Sequence, residues 1–115
     1  MVEHFRDDIT LQTHLYVRTR AGQRAAAIAA FKARRVFEEC AEAITGFLGA
    51  EILLQEDAPD HFCIIARWQT RDAMIAWMQS PVRAAQDKDL AHFAAEPPVS
   101  RLYMGGGYAL APTTE

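Results

Sequence analysis

The first regular pattern in the chain is an alternation. From Thr10 to Arg18, Leu11, Thr13, Leu15 and Val17 point one way and Gln12, His14, Tyr16 and Arg18 the other. A period of two with one apolar side predicts a half-buried strand. Arg20-Ala21-Gly22 forms a turn, and good helix formers then run from about Gln23 to Ala43, predicting one long helix. At about 100° per residue, Ala29, Ala33, Val36, Phe37, Cys40 and Ile44 fall on one stripe, the expected core face. Ile28 and Phe31 fall off it, among Arg24, Arg35 and Glu38, which suggests a second contact surface on that helix or a tail lying over it.

Thr45-Gly46 ends the helical pattern, as glycine commonly does. Phe47 to Gln55 is nearly all apolar and reads as a strand covered on both faces. The turn cluster Glu56-Asp57-Ala58-Pro59-Asp60 separates it from a second apolar strand, His61 to Trp68, and the two should pair as an antiparallel hairpin. Thr70 and Asp72 supply a cap and an early negative charge for another helix, with Ala73, Met74, Trp77 and Met78 as its apolar stripe. Ser80-Pro81 interrupts that helix, and a further helical piece follows from about Val82 to Ala95. Pro97-Pro98 stops it, and Val99 to Met104 is the last strand. The order strand, helix, strand, strand, helix, strand predicts an α+β, ferredoxin-like βαββαβ fold with a four-stranded antiparallel sheet. Residues 1–115 read as a single domain, with 1–9 as an N-terminal tail and 105–115 as a C-terminal tail.

Composition narrows the function. The formal net charge is -3, which speaks against a nucleic-acid surface. Arg18, Arg20, Arg24, Arg34 and Arg35 are followed by Glu38, Glu39 and Glu42, the pattern of a mixed solvated helix face. No apolar run approaches the roughly 20 residues of a membrane span, and Met1–Asp8 contains no apolar core of a signal peptide. A cytoplasmic protein without membrane contact is the expectation. Cys40 and Cys63 lie in apolar stretches without metal spacing and read as small buried hydrophobes. Gly105-Gly106-Gly107 precedes no helix and is not a phosphate loop.

Four stretches in order resemble one family. Val17-Arg18-Thr19-Arg20-Ala21-Gly22-Gln23 is similar to its first strand-to-helix turn. Gly46-Phe47-Leu48-Gly49-Ala50-Glu51-Ile52-Leu53 is similar to its second strand, with Thr45 where a proline is usual. Ala66-Arg67-Trp68-Gln69-Thr70-Arg71-Asp72-Ala73-Met74 resembles its W-x-[ST]-x-x-A motif, and Trp77-Met78-Gln79-Ser80-Pro81 the helix end after it. The family is that of the antibiotic biosynthesis monooxygenases, and the likeness covers roughly residues 10–104. It implies a homodimer in which two sheets pack face to face as a barrel. The open sheet face is expected to carry Phe62, Ile64, Ala66 and Trp68, provided that Trp68 points away from the helices.

The resemblance also implies chemistry. Some members are cofactor-free oxygenases acting on reduced aromatic polyketides or quinols; others resemble haem-degrading enzymes, and others bind without known turnover. In the polyketide oxygenases a tryptophan at the Trp68 position lines the pocket, with an asparagine four residues earlier and a tyrosine six later. Here those positions are Ile64 and Met74. Trp77, Ser80, Val82 and Ala85 are spaced as in the haem-degrading branch, whose iron-binding histidine would fall at Asp87. His92 is the imidazole nearest that place.

The leading expectation is an oxygenase that needs no cofactor and takes a small hydrophobic aromatic, polyketide or quinol substrate. His14 would be the base and Tyr16 the hydrogen-bond donor, on one strand face. Trp68, Trp77, Ile64, Met74 and Tyr103 would surround the substrate. Arg101 shares a strand face with Tyr103, and the two either complete the pocket wall or belong to the dimer interface. The alternatives are a dimeric binding protein for a hydrophobic metabolite, and haem binding through His92.

Overall fold

The structure is a computed structural model, and it describes residues 11–106, 108 and 110. The elements run β1 (Leu11–Arg18), α1 (Arg24–Arg34), α2 (Val36–Ala43), β2 (Phe47–Leu54), β3 (His61–Trp68), α3 (Arg71–Met78), α4 (Pro81–Ala91) and β4 (Val99–Met104). The four strands form one antiparallel sheet in the order β2-β3-β1-β4. This is the ferredoxin-like α+β arrangement expected from the pattern. Thr10, the N-terminal tail and most of the C-terminal tail lie outside the described residues.

Local chemistry explains most boundaries. The Thr70 hydroxyl accepts the Ala73 amide at 3.1 Å and starts α3. Ser80 does the same for Val82 at 3.1 Å, and Pro81 occupies the first position of α4, where its missing N–H costs nothing. Gly46, at φ +98°, turns the chain from α2 into β2. An irregularity between Phe47 and Gly49 leaves Leu48 unpaired in the ladder, as at a β-bulge.

The expected single helix from Gln23 to Ala43 is two helices. Arg35 is left-handed (φ 62°, ψ 51°), and its amide turns back to the carbonyls of Lys32 and Phe31. On an unbroken helix Phe31 and Val36 would lie about 140° apart, yet both are buried. The elbow resets the phase, so that α1 buries Ala27 and Phe31 while α2 buries Val36 and Cys40. Ala29 and Ala33 are exposed, and Phe31 belongs to the core rather than to a second surface.

All four helices lie on the sheet face that carries Thr13, Leu15, Val17, Ile52, Phe62, Ile64, Ala66 and Trp68. Trp68, 1% exposed, packs against Ala73 and Met74. The face expected to be open is therefore the covered one. The uncovered face presents Gln12, His14 and Tyr16 of β1, Cys63, Ile65 and Arg67 of β3, Glu51 and Leu53 of β2, and Val99, Arg101 and Tyr103 of β4. β2 is an edge strand, and Leu48, Leu53 and Leu54 are exposed; its apolar run does not mark burial on both sides.

The core has two halves. One gathers Leu11, Cys40, Ile44, Trp68, Ala73 and Met74 at one end of the sheet. The other gathers Val17, Ala27, Phe31, Val36, Phe62 and Leu90.

Candidate functional site

A cavity opens at the seam between these halves. Cys40, Phe47, Ala50, Ala66 and Trp77 come from the first, Phe31, Val36, Phe37, Leu15 and Ile64 from the second, and its volume is about 70 Å³. The polar groups on it are Thr13, Arg83, Gln86, Asp87 and Ser100. A second, wider cavity of about 440 Å³ adjoins it between α4 and β4, walled by Leu90, Ala91, Ala94 and Pro97. The two share Leu15, Arg83, Asp87 and Ser100. A void that takes up benzene measures about 150 Å³, so a fused-ring ligand would have to span both.

The walls are fixed by a polar network. Arg34, at the end of α1, donates to Glu39 at 2.8 Å and Asp89 at 2.7 Å. The buried Gln86 donates to the Val36 carbonyl at 3.1 Å and to Glu39 at 3.0 Å. α1, α2 and α4 are thus tied together beside the seam. Beyond α4, Ala95 N–H donates to the Arg18 carbonyl and Arg20 N–H to that of Phe93, holding the outer wall to the end of β1.

Asp87 stands where the cavities meet, and it is the one carboxylate among the described residues lining the inner one. Its side chain is 48% exposed and lies 3.9 Å from Arg83. Burial against the cavity wall raises its pKa, a larger effect than the lowering by the Arg83 charge. A carboxyl held above its usual range is a better proton acceptor than an ordinary aspartate.

The expected site residues separate across the sheet. Trp77 and Ile64 line the inner cavity. Trp68 and Met74 are packed behind it in the core, where Trp68 Nε1 donates to Thr13 Oγ1 at 3.2 Å and stacks 6.2 Å from Trp77. His14, Tyr16 and Tyr103 form a cluster on the opposite, uncovered face. His14 Nε2 donates to Gln12 Oε1 at 2.9 Å, and Nδ1 lies 3.2 Å from the Tyr16 hydroxyl. The Tyr103 hydroxyl is 3.2 Å from that of Tyr16, and its ring lies 4.3 Å from the imidazole. Burial, and then the Arg67 charge, lower the His14 pKa. The hydrogen bond with Tyr103 pushes Tyr16 up to about 12, so the phenol keeps its proton near neutrality. The sheet stands between this cluster and the seam cavity, and no one substrate touches both sets.

His92 is exposed at the C-terminal cap of α4 and lines neither cavity, so it offers no imidazole to a haem iron there. Among the described residues no group of three His, Cys, Asp or Glu side chains converges as metal ligands would. Cys40 and Cys63 are free thiols. No helix among the described residues is long and apolar enough to cross a membrane.

A sequence profile of the antibiotic biosynthesis monooxygenases matches residues 10–88, more than half of the chain. The protein belongs to that family. No curated protein matches it in sequence. Solved structures share the fold. A candidate antibiotic biosynthesis monooxygenase of Nitrosomonas europaea is 21% identical with a TM-score of 0.70, over 91% of this chain and 93% of its own. Rv0793 of Mycobacterium tuberculosis is 17% identical with a TM-score of 0.66, over 92% and 97%. A candidate monooxygenase of Bordetella bronchiseptica is 23% identical with a TM-score of 0.66, over 84% and 96%. Membership of this family points to a monooxygenase-like kind of function. Arg83 and Gln86 carried no signal in the sequence, because on a short polar helix they look like any solvated side chains.

Proposed function

We propose that this protein is a cofactor-independent monooxygenase that holds a small aromatic, polyketide or quinol substrate on the helix side of its sheet. The observation that carries the reading is the aromatic-walled seam cavity with one carboxylate at its mouth. Trp77, Phe37 and Phe47 supply flat apolar walls for a ring. Asp87 takes the acidic proton of the substrate, and the resulting carbanion or phenolate reduces O₂. For a ring methylene the balance is R₂CH₂ + O₂ → R₂C=O + H₂O. One oxygen atom bonds to the ring carbon, the other leaves as water, and all four electrons come from the substrate. Ser100 and Thr13 are the hydroxyl groups on the lining that can donate to an oxyanion.

The uncovered sheet face fits a homodimer contact. Ile65 and Cys63 lie half-buried at its middle, ringed by exposed Tyr16, Leu53, Val99 and Tyr103, and apolar surface of this extent favours a partner. On this reading His14 and Tyr16 serve the interface rather than the chemistry. Light scattering is expected to give a dimer at micromolar concentration, and Ile65→Arg to weaken it.

The activity test is oxygen uptake with anthrones, naphthols and quinols and no added cofactor. Uptake above the buffer rate, lost in Asp87→Asn and kept in His14→Ala, is the expected result. Loss in His14→Ala alone would return the base to the sheet face. A second reading, binding without turnover, is favoured by the apolar Ile64 in the cavity wall; it predicts saturable binding of the same compounds with no uptake.

A further inference from the structure

The two cavities meet at a cation that has no close partner among the described residues. Arg83 presents five donors. Its contacts are the Met78 carbonyl at 3.4 Å and Asp87 at 3.9 Å. Arg34, by contrast, is paired at 2.7 and 2.8 Å, and Arg18 is paired with Glu96 at 2.8 Å. Arg83 also sits in the first turn of α4, which holds no acidic residue. A helix N-terminus carries about half a positive charge, so a cation is disfavoured there and an anion is welcome. The remaining carboxylate near the outer cavity, Glu96, is already neutralised by Arg18. The join therefore offers a guanidinium, a helix end and the Ser100 side chain beside apolar walls.

We infer that the substrate is an aromatic acid, whose carboxylate binds Arg83 at the first turn of α4 while its ring lies across the two cavities. This rests on the placement of the substrate in the seam cavity and adds its chemical class. A carboxylate on Arg83 also takes over the cation that faces Asp87, leaving Asp87 the more basic.

Calorimetric titration with 1-hydroxy-2-naphthoate and with 1-naphthol separates the possibilities. The acid is expected to bind wild-type protein about tenfold more tightly, the usual worth of a charge-assisted contact. Arg83→Gln should bring the two compounds to parity, Arg83→Lys should keep part of the preference, and Asp87→Asn, which removes the competing carboxylate, should keep or widen it. Equal affinities in the wild type, or a preference that survives Arg83→Gln, overturn the inference while leaving the cavity reading intact. Binding of neither compound overturns both. A preference without oxygen uptake upholds acid recognition and removes catalysis alone.

Discussion

Replacing Thr13 by valine tests how the floor of the cavity is held. Thr13 and Trp68 are buried at 9% and 1% exposure, and the Trp68 indole N–H donates to the Thr13 hydroxyl at 3.2 Å. Valine keeps the shape and suits a strand at least as well, so packing and propensity stay nearly constant. What changes is that a buried N–H loses its acceptor, which costs about 1–3 kcal/mol. For a domain of this size each kcal/mol lowers Tm by roughly 4 °C. Urea and thermal unfolding of wild type, Thr13→Val, Trp68→Phe and the double variant would measure the coupling. Trp68→Phe also loses contacts with Phe47 and Trp77, so it is destabilising by itself. In its background Thr13→Val should cost about 1 kcal/mol less than in the wild type, because no donor remains to be stranded. A Thr13→Val protein as stable as wild type, or one equally destabilised in both backgrounds, would refute the reasoning.

Further changes probe other joints of the fold. Gly46→Ala should lose about 1–3 kcal/mol in urea unfolding, since φ is +98° and the new Cβ would sit 2.9 Å from that of Ala73; a neutral result would mean that this turn yields easily. At the elbow, Arg35→Val should unfold at lower urea than Arg35→Gly, by about 1–2 kcal/mol, because a β-branched residue resists the left-handed conformation that glycine accepts. Asp87 has its pKa raised by burial, so its ionisation opposes folding. Its stability contribution is present below the ordinary aspartate range and is lost as pH rises through the raised folded value. Asp87→Asn should therefore gain on wild type in unfolding free energy between acid and neutral pH, while the acidic limb of the oxygen-uptake profile should lie above the usual aspartate range.

Much of the fold was written locally. Thr70, Ser80-Pro81 and Gly46 mark element ends through caps and a turn, and each acts as its chemistry demands. The Arg35 elbow was hidden because neither glycine nor proline marks it; tertiary packing of Phe31 and Val36 on one core imposes it. The facing of β3 was equally hidden. His-Phe-Cys-Ile-Ile-Ala-Arg-Trp is apolar on both sides, so alternation alone does not tell which side meets the helices. In β1, where polar and apolar residues alternate cleanly, the two faces were read as they stand.

The site was legible in fragments. Trp77 and Ile64 entered through the family likeness and do line the cavity. In the sequence, Asp87 stands out only as the place of an absent histidine. The cavity itself arises from the seam between two core clusters, a property of long-range packing that no spacing along the chain encodes.

Which face of the sheet meets the ligand is the central question, and an amide chemical-shift titration with 1-naphthol answers it most directly. The account predicts that the largest shifts fall on the seam, at Ala50, Ile64, Trp77, Gln86 and Asp87. Shifts concentrated instead on Gln12, His14, Ile65 and Tyr103 would contradict it and move the site to the uncovered face.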